Sequence, residues 1–62
     1  MGFKKARIRA GKSVADVMAF MKVTDAAVYQ WETDVSKPRT DKLVKLAQFY
    51  GCTVDELLQK EE

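Results

Sequence analysis

Apolar residues recur along this chain at the i, i+3, i+4, i+7 spacing of a helix face, and no strand-like alternation competes with it. The spacing predicts five helices, over about 3–10, 14–21, 25–33, 41–50 and 54–60. The second block carries the stripe Val14, Val17, Met18 and Met21, and the fourth carries Leu43, Leu46, Ala47 and Tyr50. Gly11 and Gly51 stand just past the first and fourth blocks, where a left-handed residue ends a helix. Ser13 with Asp16, and Thr53 with Glu56, have the spacing of a capping box. Thr24 and Thr40 are the expected caps of the third and fourth helices, and Pro38 lies in the loop between them.

The segment from Ser13 to Glu32 is the most telling. It reads as two short helices separated by a break of a few residues, each too short to bury much alone. On a helical wheel Ala27, Val28 and Trp31 fall within about 100° of one another. Asp25, Ala26, Tyr29, Gln30 and Thr33 occupy a separate, mostly polar arc. Pairing the two helices across a tight turn packs the first arc and leaves the second free to enter a DNA major groove.

Composition narrows the setting. Sixty-two residues, 47% hydrophobic and 32% charged, fit one small all-α domain over 1–62, near the size where a single core barely suffices. The lone Cys52 has no internal disulfide partner, which favours a reducing compartment. No stretch approaches about 18 apolar residues, and the basic start lacks an apolar signal core, so a cytoplasmic protein without a membrane span is expected. A net charge of +2 argues little, but its distribution does. Residues 1–22 carry +5, residues 53–62 carry −3, and the middle is neutral. Such a molecule can turn a basic face to phosphate and keep its acidic end away. Histidine is absent, and there is no Ser–His–Asp or Cys–His set, glycine-rich phosphate loop or clustered metal ligands. An enzyme is therefore the weakest reading, and no cofactor or metal is expected.

Several pieces in order match a known family: Arg7 four residues before Gly11; the run Val23-Thr24-Asp25-Ala26-Ala27-Val28-Tyr29-Gln30-Trp31-Glu32; Lys37-Pro38; Leu43-Leu46-Ala47; and Gly51 to Leu58. The chain resembles the helix-turn-helix domain of the phage repressor and Cro class, the bacterial Xre family. The resemblance implies a five-helix, lambda-repressor-like domain whose third helix is the recognition helix, of bacterial or phage origin. It also implies twofold dimers on half-sites about one helical turn apart. Three positions depart from the family pattern. Val14 replaces a glutamine that reaches phosphate, and Met18 replaces a small residue facing the third helix. Lys22 replaces the turn glycine, and because a lysine with positive φ is uncommon, a turn of another shape is an open alternative.

The resemblance also implies roles. Arg7 and Glu32 correspond to an ion pair tying the first helix to the end of the third. An Arg on the side of Phe3, Ala6 and Ala10 needs a carboxylate if it is covered, the alternative being a solvated side chain over apolar surface. Gln30 and Asp25 stand where bases are read. Glutamine can pair with adenine and aspartate can accept from cytosine N4, although Asp25 also suits the positive end of a helix dipole. Ala26 can touch a thymine methyl, and Tyr29 can lie along the backbone, reach a base edge or simply be half-buried at the rim. Lys37 and Arg39 flank Pro38 where the family meets phosphate, with Thr24, Thr33 and Ser36 as hydroxyl donors. Trp31, Met18 and Met21 read as core, as does Phe49; Phe20 lies off its stripe and is left open, and Ile8 is expected to meet the fifth helix.

Two functions from different classes follow. The first is a transcriptional regulator, of repressor type, that binds duplex DNA sequence-specifically as a homodimer on a palindromic operator. The second is a protein-interaction module of the same fold, antirepressor or antitoxin-like, that does not read DNA; Asp25 and Val14 lean toward it, Lys37 and Arg39 against it.

Overall fold

The computed structural model describes residues 2–59, and all regular structure among them is helical. The elements are α1 (Phe3–Arg9), α2 (Val14–Met21), α3 (Asp25–Glu32), α4 (Thr40–Tyr50) and α5 (Val54–Leu58). Each helix sends a narrow stripe inward. Phe3, Ala6, Val17, Met21, Val28, Trp31, Leu46, Ala47, Tyr50 and Leu57 are buried together. Val14 and Met18 are partly buried and pack against this core. Contacts between α2 and α3 and between α1 and each of α3, α4 and α5 close the bundle.

Local chemistry sets the helix ends. Ser13 Oγ accepts from the Asp16 N–H at 3.0 Å while Asp16 Oδ2 accepts from the Ser13 N–H at 2.9 Å, a reciprocal box that also holds the Asp16 carboxyl below its usual range. Thr53 and Glu56 form the same box at the start of α5. Lys22 adopts φ 56° and ψ 49°. The turn between α2 and α3 therefore keeps its left-handed residue without a glycine, and the alternative of another turn shape does not apply.

Several boundaries differ from the sequence-based expectation. Helix α1 stops at Arg9 with Ala10 as its cap, and α3 stops at Glu32 with Thr33 as its cap. Helix α4 begins at Thr40, with extended Arg39 as an N-cap that makes no side-chain cap bond; its carbonyl accepts the ordinary first helical bond from the Leu43 N–H at 2.7 Å. Thr40 is thus the first helical residue, not a cap. Helix α5 ends at Leu58, with Gln59 extended; position 60 of the expected helix lies outside the described residues.

Two apolar side chains have unexpected neighbours. Phe20 stacks on Phe49 with ring centroids 4.1 Å apart and planes 8° from parallel, and the Lys12 ammonium lies 4.8 Å from the Phe49 centroid. Ile8 does not close against α5; it stays 58% exposed along a groove that it shares with Leu58.

Candidate nucleic-acid interface

Helix α3 is anchored by Val28 and Trp31, which leaves its opposite side to solvent. Thr24, Asp25, Ala26, Tyr29, Gln30 and Thr33 are all exposed there. Thr24 caps the helix, its Oγ1 accepting from the Ala27 N–H at 3.3 Å, and its own hydroxyl proton remains available to a phosphate. Asp25 Oδ1 accepts from the Ala26 N–H at 2.8 Å, so its carboxylate serves the first turn of the helix. Tyr29 is 52% exposed, about half of its side chain open to solvent.

At the other end, the chain folds back over the last turn of α3. The Val35 and Ser36 N–H groups both donate to the Gln30 carbonyl, at 3.0 and 3.3 Å. Asp34 takes a positive φ of 62° to make that reversal. Ser36 Oγ donates to Gln30 Oε1 at 3.4 Å, and the Gln30 amide N–H groups have no partner among the described residues. The Thr33 hydroxyl donates to the Tyr29 carbonyl at 2.8 Å, which occupies the proton a phosphate contact would need. Lys37 and Arg39 are exposed on the loop that follows. Lys37 also lines a groove of about 510 Å³ between α1, α5 and the end of α3, beside Phe3, Lys4, Ile8 and Leu58.

An ion pair ties the C-terminal end of α3 to α1. Arg7 Nε donates to Glu32 Oε2 at 2.7 Å, Nη2 lies 3.4 Å from Oε1, and Nη1 donates to the Lys12 carbonyl at 3.1 Å. The two side chains are only 12% and 5% exposed. The bond to Glu32 holds the Arg7 guanidinium above its ordinary value despite an opposing desolvation cost. One arginine thus joins α1, the loop after it and the C-terminal end of α3.

This arrangement agrees with an independent comparison: the sequence model described as Helix-turn-helix matches residues 3–57. The chain belongs to that family. It is of the phage-repressor and Cro type, a DNA-binding helix-turn-helix domain in which α2, Lys22–Thr24 and α3 form the motif. Neither curated proteins nor solved structures gave a match. In this helix-turn-helix protein the polar arc of α3 was legible from the helical wheel. The Ser36–Gln30 bond and the Phe20–Phe49 stack were not, because each joins residues that no single-helix projection sets side by side.

Proposed function

We propose that this helix-turn-helix protein is a sequence-specific transcriptional regulator, acting as a repressor, that reads the major groove with α3. The observation that carries the reading is the open arc of α3 from Thr24 to Gln30, followed at once by two exposed cations, Lys37 and Arg39. Phosphate contacts from Thr24, Lys37 and Arg39 set the register, while Gln30, Ala26 and Tyr29 meet base edges. Asp25 supports the helix start more than it reads a base.

The operator is a palindrome read by two copies. A protomer measuring 27 × 23 × 21 Å leaves room for a second on a half-site about 34 Å away. Exposed Val44 on α4 and Leu58 on α5 are apolar positions from which the two copies can touch. Pairing multiplies two weak contacts through effective concentration.

Titration with random-sequence duplex across a salt series tests the reading. Binding in the micromolar range that weakens steeply with salt supports it. Absence of binding at low salt, with a protein co-purifying instead, would establish the interaction-module reading.

A further inference from the structure

Four helices of this chain are followed by a residue of positive φ, and two of these residues are glycines, while Asp34 after α3 is of a type that tolerates the region. Gly11 after α1 has φ 71° and Gly51 after α4 has φ 70°. After α2 the same conformation is taken by Lys22. A side chain in this region costs free energy that glycine avoids. The lysine is exposed, and among the described residues its ammonium makes no hydrogen bond or ion pair. Attraction to the C-terminal dipole of α2 is screened at so open a site and does not exceed the strain. Strain that local contacts do not offset is a pointer to function.

The position of Lys22 says which function. It precedes by two residues Thr24, the cap of the recognition helix. Helix α3, at eight residues, is about 12 Å long. Lys37 and Arg39 follow its C-terminal end, so with Lys22 the reading helix has cations beyond both ends. A lysine stem is long and flexible enough to reach a phosphate beside the groove that α3 enters.

We infer that Lys22 is a phosphate-gripping residue, held in a strained turn at a cost to fold stability. The inference rests on the DNA-binding reading above. Its test compares Lys22→Gly and Lys22→Arg with the parent protein, by thermal unfolding without DNA and by random-duplex titration across a salt series. Lys22→Gly raises Tm by about 4–8 °C, the shift that relief of this strain gives in a domain of this size. In the titration it lowers the salt slope by about one unit per protomer and weakens binding about eightfold at 0.1 M salt. Lys22→Arg keeps the slope and shows no rise in Tm. An unchanged slope in Lys22→Gly while the parent binds overturns the assignment of Lys22 alone. Equal losses in Lys22→Gly and Lys22→Arg overturn it too, since geometry and not charge would then be at work. No salt-sensitive binding by the parent overturns the DNA-binding reading and this inference with it.

Discussion

Arg7 is the residue on which the pose of the recognition helix turns. Its guanidinium is bonded to Glu32 and to the Lys12 carbonyl in a largely covered position, so truncation leaves a carboxylate desolvated without its partner. Arg7→Ala is expected to cost about 3 kcal/mol of unfolding free energy, the lower end for breaking a covered pair. Arg9→Ala, at an exposed position on the same helix, is expected to cost several times less. Denaturant titration of both variants decides; equal losses would mean that the pair does not hold α3. Tyr50 supplies a pH signature. Burial, reinforced by the Glu32 charge, holds its phenol well above the ordinary 10.0. The folded protein thus keeps a proton that the unfolded chain releases, and stability falls as pH rises past 10. Burial also raises the Cys52 thiol, which adds a decline from pH 9.0, so the comparison is made in a Cys52→Ala background. There Tyr50→Phe is expected to flatten the alkaline decline; an unchanged decline would assign it to another group.

At the scale of the element, the loop after α3 carries two exposed cations, Lys37 and Arg39, which the proposed function places on phosphate. Removing the charge of Lys37 or Arg39 is expected to weaken binding to all duplexes alike and to flatten the salt slope by about one unit. A loss confined to one operator sequence would contradict this, and salt-series titrations on two unrelated duplexes check it. The elements themselves were largely legible in the sequence, for physical reasons visible residue by residue. Ser13 with Asp16 and Thr53 with Glu56 cap through bonds three residues apart, which sequence displays directly. Gly11 and Gly51 mark left-handed ends for the same local reason. Thr40 misled because a capping-type hydroxyl marks a helix start only to within a residue or so, and here it falls at the first helical position with Arg39 before it. Lys22 misled in the opposite direction: the tertiary pairing of α2 with α3 imposes a left-handed turn on a residue that disfavours it. Thr33 is a phosphate donor by resemblance, yet its hydroxyl turns back onto the Tyr29 carbonyl. The groove between α1 and α5, with Ile8 open in it, depends on how far apart two helices settle, which their stripes do not encode.

For the molecule as a whole, ten residues drawn from all five helices make the core, and the pairing of Arg7 with Glu32 orients α3 on it. What remains outside is an arc of short polar and aromatic side chains with cations on the following loop. Family membership makes this a DNA-binding domain, and the proposed function assigns the reading of sequence to this arc. Under the proposed function Gln30 is the position to test, because it is exposed on this arc and its amide N–H groups have no partner among the described residues. Selection of bound duplexes from a random pool, run on the parent protein beside Gln30→Ala, is the most direct measurement. The parent is expected to enrich an inverted repeat with half-site centres about 10 base pairs apart, and Gln30→Ala to relax it at one symmetric position. Recovery of no consensus by the parent, or of an identical one by both proteins, would contradict reading by this face of α3.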